Sequence, residues 1–453
     1  MKTLPRKWAG LLALVVLTGC AGDVDNYQTN DIDPELLHSA VKKLTDVTVH
    51  DIFSPPLASR AHAYASIAAY EALVPAFPQY RSLAGQLNEL LPIPEPDSDA
   101  EIIPEIASLH AFAAVAREMV FSQSEIDALV ADLDQNLRSL GIPRQIFQSS
   151  IDYGNAVARH ILAWAGTDNY KETRSSPKYE VTDDPARWVP TPPAYLDAVE
   201  PSWNELRPFV MNSTDQFKPS PPTPYDAREN SVFFEEAYDV YETHQNLDEE
   251  RTEIAAFWDC NPYVMHTSGH VMFATKKVTP GGHWMGIATI ASRLDGADFA
   301  KSALIYTKTS IALADGFISS WDEKYRSDLV RPETYINRFI DEDWVPILQT
   351  PPFPEHTSAH SVISTAAALV LTDIFGPDFE FDDTTELEYG LPMRSFSSFI
   401  EASEEAAISR LYGGIHYRPA IEEGIVQGRG VGRLVLERAN MDGERLAEVV
   451  ELE

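Results

Sequence analysis

Cysteine is nearly absent from the 453-residue chain: Cys20 and Cys260 are the only two. A fold stapled by several disulfides is therefore excluded. Positive charge is also scarce, with 35 Lys and Arg against 69 Asp and Glu and a formal charge of −34. That balance argues against nucleic-acid binding, which needs a basic footprint, and disfavours docking on anionic lipid head groups. Most of the acid reads as a solvated, salt-tolerant surface. Long apolar runs are missing, and the one near the start, Leu11 to Leu17, is too short to span a bilayer. Period-two alternation never runs far, and no repeat of solenoid length is visible. What remains is an ordinary apolar fraction with alanine and leucine at helical spacing, which predicts a mostly helical protein with a large core.

Residues 1–20 read as an export signal. Lys2, Arg6 and Lys7 precede the short apolar run, and Leu17-Thr18-Gly19-Cys20 resembles the bacterial lipoprotein box. That resemblance implies a lipid on Cys20 as the mature first residue, and an exported protein anchored to the bacterial cell envelope or left in the periplasm. The membrane would be touched only through that lipid. A plain secretory signal cut near Ala21 is the competing reading. Processing at Cys20 removes three cations and no acids, taking the formal charge to about −37. It also leaves Cys260 without a partner for an internal disulfide.

Residues 21–32 read as a polar tether, and 33–165 as an N-terminal helical half. Within it, helices are expected near 33–48, 57–76, 105–118, 124–140 and 144–165. Eleven prolines forbid a long helix across 166–228, and the Trp and Tyr content there predicts an ordered crossover. A C-terminal helical half, 229–453, follows. Its first part holds Asn261-Pro-Tyr-Val-Met-His266-Thr-Ser-Gly-His270, read as an apolar helix with two histidines four apart. That spacing suits a metal, but no third ligand is near, so a structural role is preferred.

Three later stretches carry the candidate chemistry. Lys324-Tyr-Arg-Ser-Asp-Leu-Val-Arg331-Pro332 places Lys324 at a helix end and Arg331 on the exit loop, since Pro332 drives Arg331 to an extended conformation. Pro354-Glu-His-Thr-Ser358-Ala359-His360 opens an apolar helix with Thr357 or Ser358 as cap. Its free N–H groups and positive dipole end suit an anion and keep His360 neutral. Ser409-Arg410-Leu-Tyr-Gly413-Gly414-Ile-His416 breaks a helix and puts His416 in a tight corner. Each stretch alone has a plain structural reading: a solvated charge pair, a capped helix, a packed histidine. Together they supply three cations, two histidines, a hydroxyl and backbone donors, enough to hold a tetrahedral oxyanion.

In order and content the three stretches resemble the vanadium-dependent haloperoxidases and their relatives, the type-2 phosphatidic acid phosphatases and bacterial acid phosphatases. The resemblance is strongest to the exported bacterial enzymes, iodoperoxidases included. It implies an all-α fold of two four-helix bundles, with the vanadate site in residues 229–453. It further implies vanadate as cofactor, with vanadium bonded to His416. Lys324, Arg331, Ser358, Ala359, His360 and Arg410 would complete the binding set. His360, His416 and Lys324 would act in catalysis, with hydrogen peroxide and a halide, iodide first, as substrates and hypohalous acid as product. Trp321 and Phe353, beside two of the stretches, would line the halide approach. Ala359 stands where the family commonly has Gly, and Ala420 where an Asp often orients the histidine; Glu422 or Glu423 is a candidate substitute, with an exposed position for both as the equal alternative. A phosphatase with His416 as nucleophile is the alternative activity, and an anion-binding surface lipoprotein the non-enzyme alternative.

Overall fold

The computed structural model describes residues 32–268 and 270–442. The export signal over 1–20, Cys20, and 21–31 of the tether lie outside the described residues. The N-terminal half holds α1 (Glu35–His50), α2 (Pro55–Leu73), α3 (Pro104–Met119), α4 (Gln123–Ser139), α5 (Arg144–Ala165) and the single turn α6 (Tyr170–Thr173). After the crossover come α7 (Val232–Gln245), α8 (Glu249–Phe257), the strands β1 (Val264–Ser268) and β2 (Val271–Thr275), and α9 (Pro280–Asp295). The chain finishes through α10 (Phe299–Ser327), α11 (Pro332–Phe339), α12 (Ala359–Phe375), the strands β3 (Phe381–Asp383) and β4 (Arg394–Phe396), α13 (Phe399–Tyr412) and α14 (Arg418–Arg438).

The fold is helical, with two short antiparallel hairpins added, β1–β2 and β3–β4. In the first bundle α3 packs against α2, α4 and α5; in the second α12 packs against α10, α13 and α14. Alanine and glycine let these helices lie close. A methyl added to Gly154 on α5 would meet the Ala107 carbonyl of α3 at 2.3 Å. Long α10 serves both bundles, touching α2 on one side and α12 on the other, and one apolar core runs through both halves. Burial of that much apolar surface is the main driving force for the fold. Among the described residues no helix is long and apolar enough to cross a membrane.

Between α6 and α7 the chain is irregular but pinned. Buried Asp315 of α10 accepts from the N–H groups of Phe209, Val210 and Met211 at 2.7, 2.8 and 3.2 Å. Trp188 and Trp203 are buried, and Trp188 N–H donates to the Asp328 carbonyl. The expected helix over 261–270 does not form. His266 lies on β1, paired with Phe273, and His270 follows in the hairpin turn. Short apolar runs at β1 and β2 suit two paired strands as well as they suit a helix.

Candidate active site

Local rules place each part. α10 ends at Asp328, whose left-handed backbone (φ 49°) turns the chain sharply and whose carboxylate accepts from Tyr179 and Arg187. Lys324 therefore sits in the last turn of α10, wholly buried, and Arg331 caps the start of α11 in extended conformation. Ser358 caps α12, its hydroxyl accepting from Ser361 N–H at 3.3 Å, which leaves the N–H groups of Ala359 and His360 outside the helical ladder. α13 stops at Gly413, and Gly414 takes a φ of 77° with Trp344 packed against it, so only glycine fits. His416 sits in the corner between α13 and α14, as its neighbours predict.

Arg331 Nη1 donates to the Ile415 carbonyl at 2.8 Å and lies 3.2 Å from His416 Nε2, while Nε donates to the Phe353 carbonyl. Its Nη2 is buried without a partner. Burial lowers the Arg331 pKa to about 10. Lys324 gives its three N–H bonds to the carbonyls of Pro354, Glu355 and Thr357 at 3.2, 3.1 and 2.5 Å. It thus clamps the loop before α12, and burial with Arg331 nearby pushes its pKa well down. Arg410 Nη2 donates to the Trp258 carbonyl at 2.5 Å and Nε to Ser409 Oγ.

The group that orients His416 is Glu355. Glu422 is exposed, Glu423 accepts from Ser220 N–H, and Ala420 is buried with its carbonyl accepting from Ser358 N–H, so neither glutamate takes the place of the missing Asp. Glu355 Oε1 is 2.8 Å from His416 Nδ1 and also accepts Tyr417 N–H at 2.9 Å. Burial raises the Glu355 carboxyl to about 7, against the pull of Arg331 and Lys324. Because Oε1 accepts twice and Oε2 has no partner, any proton on this carboxyl goes to Oε2. Nδ1 of His416 is then the donor in either state, and Nε2 carries the lone pair. Burial and the surrounding cations push the His416 pKa well down, so the ring stays neutral. His360 is likewise pushed well down by burial and by Arg410, and its Nε2 has no partner.

A cavity of about 230 Å³ brings together Ala359, His360, Arg410 and His416 with Trp321 and Phe353. Lys324, Arg331 and Ser358 stand behind this wall. The Phe353 ring lies 5.0 Å from both the Lys324 ammonium and the Arg331 guanidinium, and its centroid is 4.9 Å from that of Trp321. Trp321 spends its indole N–H on the Val199 carbonyl. The partnerless Nη2 of Arg331, Arg410 at the cavity, a neutral imidazole whose Nε2 lone pair faces Arg331 Nη1 at 3.2 Å, and a capped helix start form a donor set that fits a tetrahedral oxyanion beside His416.

Sequence reasoning missed several residues here. Glu355 stood inside a quoted stretch, but its partner is 61 positions away. The Trp258 carbonyl gave no side-chain signal. Cys260, which lines the cavity, lies beside His283 and Glu386 in a buried cluster assembled from three separate segments.

Residues 304–443 match the family model of the VCPO second helical-bundle domain. The chain is similar to a solved structure of a bacterial vanadium-dependent iodoperoxidase, with 50% identity, TM-score 0.87, and 93% of this chain and 100% of that one covered. A holo-type bacterial vanadium-dependent chloroperoxidase shares the fold at 18% identity and TM-score 0.64, over 86% of this chain and 93% of that one. Its apo-type counterpart matches at 17% identity and TM-score 0.63, over 85% and 95%. No curated protein matches.

Proposed function

The chain belongs to the vanadium-dependent haloperoxidases, and from that membership we propose that it binds vanadate through His416 and oxidises halide, iodide first, with hydrogen peroxide to hypohalous acid. One observation carries the reading: the Glu355–Nδ1 contact directs the His416 Nε2 lone pair toward Arg331 Nη1, and His416 shares its cavity with Arg410 and His360, so an oxyanion bonded at Nε2 would take over the Arg331 contact. The iodide preference is supported by the 50%-identical iodoperoxidase. When bound, vanadate supplies a Lewis-acidic centre that activates peroxide toward halide without changing its own redox state.

The residues around it have separable tasks. Arg331 and Arg410 neutralise oxyanion charge, and the Ala359 N–H and Ser358 hydroxyl donate to oxygen. Lys324 acts first as a fixed charge that holds the loop carrying Glu355, because its N–H bonds are already given to carbonyls. His360 accepts a proton from peroxide at Nε2. Burial and Arg410 disfavour its charged form, so the proton is passed on readily. Cations over the face of Phe353 leave its edge more positive, which suits an approaching halide.

Assays of the apo-protein with and without vanadate, giving peroxide and each halide in turn, test this. Vanadate-dependent iodide oxidation is expected, with a loss of at least about 100-fold in His416→Ala. Phosphate-ester hydrolysis without halide oxidation would support the second reading, a phosphatase with His416 as nucleophile. The Glu355–His416 contact favours that reading to a degree, since a nucleophilic imidazole also needs its other nitrogen held. We further propose that the mature chain begins at a lipidated Cys20 in the cell envelope, which the mass of its N-terminal peptide decides.

A further inference from the structure

We propose that Cys260, His283 and Glu386 bind a divalent transition-metal ion of borderline softness, of the Zn²⁺ or Co²⁺ kind, in a second site that adjoins the vanadate pocket through Cys260. The three ligand atoms lie within 4.8 Å of one another, and all three residues are buried. His283 Nδ1 is 3.4 Å from Cys260 Sγ and 3.2 Å from Glu386 Oε1. Tetrahedral coordination, with bonds of about 2.3 Å to sulfur and about 2.0–2.2 Å to nitrogen and oxygen, puts neighbouring ligand atoms about 3.4–3.6 Å apart. Both distances from His283 Nδ1 are within a few tenths of an ångström of that spacing.

Two further observations point to a ligand. Neither oxygen of Glu386 has a hydrogen-bond partner, although the residue is wholly buried. Its Oε1 has His283 Nδ1 at 3.2 Å, and a buried carboxylate in such a place is expensive unless that ring is charged or a metal ion faces it. The far side of His283 is held as a metal-bound histidine usually is. Nε2 lies 2.7 Å from Asp383 Oδ2 and 2.7 Å from Thr385 Oγ1, and Thr385 Oγ1 also donates to Asp383 Oδ1. That fixes the ring and turns Nδ1 toward the sulfur and the free carboxylate. Soft thiolate, imidazole and one carboxylate select zinc-like ions over magnesium or calcium.

The competing arrangement needs no metal. Burial alone would lower the His283 pKa, but Asp383 and the Cys260 sulfur outweigh it and push it well up, so an imidazolium could itself sit between the carboxylates. The two arrangements differ in what the site does. A metal would tie the start of α9 to the segment after α8 and to the loop after β3. That segment includes Trp258, whose carbonyl holds Arg410 and whose indole stacks on His283 at 4.7 Å. The ion would thereby brace one wall of the vanadate pocket.

The test uses full-length protein purified without chelator, with zinc, cobalt and vanadium measured separately by mass spectrometry. About one zinc-like ion per chain is expected. It should survive gel filtration and be lost from Cys260→Ser and Glu386→Gln. Cobalt exchanged into the wild type should give visible bands and a thiolate charge-transfer band, the latter missing in Cys260→Ser. Removal of the ion by a strong chelator should lower the Tm by several degrees. Metal-free protein that gains no cobalt spectrum and keeps its Tm on chelation overturns the proposal in favour of the imidazolium. If Cys260→Ser does not fold, the near-isosteric Glu386→Gln and chelation of the wild type decide. None of these readouts depends on halide oxidation.

Discussion

An imidazole offers one nitrogen to a ligand reliably only when its other nitrogen is spoken for. In His416 that task falls to Glu355, and the consequence can be measured. Glu355→Ala should weaken vanadate binding about 10–100-fold, because the ring loses its fixed tautomer and Arg331 loses its buried counter-charge. Glu355→Gln should keep most of the affinity, since an amide oxygen can still accept from His416 Nδ1 and Tyr417 N–H. Equal losses in both, measured by calorimetric titration with vanadate, would instead mean that the negative charge and not the acceptor geometry matters. The places of the seven proposed anion-site residues from Lys324 to His416 at helix ends and corners were legible in the sequence, because a proline, a cap and a glycine pair fix them by local rules. Glu355 was not, although it lies between Pro354 and His356. Its role depends on a loop-to-loop contact that no spacing encodes, and the search four positions beyond His416 met a buried alanine. The same holds for Cys260, His283 and Glu386, which meet only after three segments have packed.

Helices with strong periodicity or firm punctuation were legible to within a few residues. Pro55 and Pro104 start α2 and α3, Ser358 caps α12, and Gly413-Gly414 stops α13. The segment at 261–270 was misread as a helix because its apolar residues belong to a strand paired with the next one, and short apolar runs do not declare their period. The close approach of α14 to α12 was also hidden, because it depends on what glycines lack. Gly424, Gly428 and Gly432 lie on one face of α14, and a methyl on Gly428 would meet the Val362 carbonyl at 2.3 Å. On Gly424 it would meet the Ser358 carbonyl at 2.8 Å, so this face sets the position of the α12 start. Gly428→Ala should therefore destabilise the fold by about 1–3 kcal/mol, despite the better helix propensity of alanine. It should also weaken vanadate binding, because the anion donors at Ala359 and His360 shift with α12. Denaturant unfolding and vanadate titration of the same preparation check both halves. An unchanged or higher midpoint would mean that α14 moves away without cost.

The whole molecule sets two fields against each other. Its surface is acidic, with a formal charge of −34, whereas the pocket that must take up an anion is backed by Lys324, Arg331 and Arg410. These fields differ in range. Repulsion from the body acts at long distance and is screened as the Debye length falls from about 30 Å at 0.01 M salt to about 8 Å at 0.15 M. Attraction from the buried cations acts inside the cavity, where ions of the medium do not separate the charges. Added salt should therefore speed vanadate capture several-fold while leaving its release nearly unchanged. Stopped-flow binding across that range, with an inert monovalent salt, reads the two rates directly. A capture rate that falls with salt would mean that the cationic pocket projects its field well beyond the cavity mouth and outweighs the acidic surface during approach. The same balance bears on iodide, which carries less charge than vanadate and is repelled less by the body. Its approach should show a weaker salt dependence of the same sign.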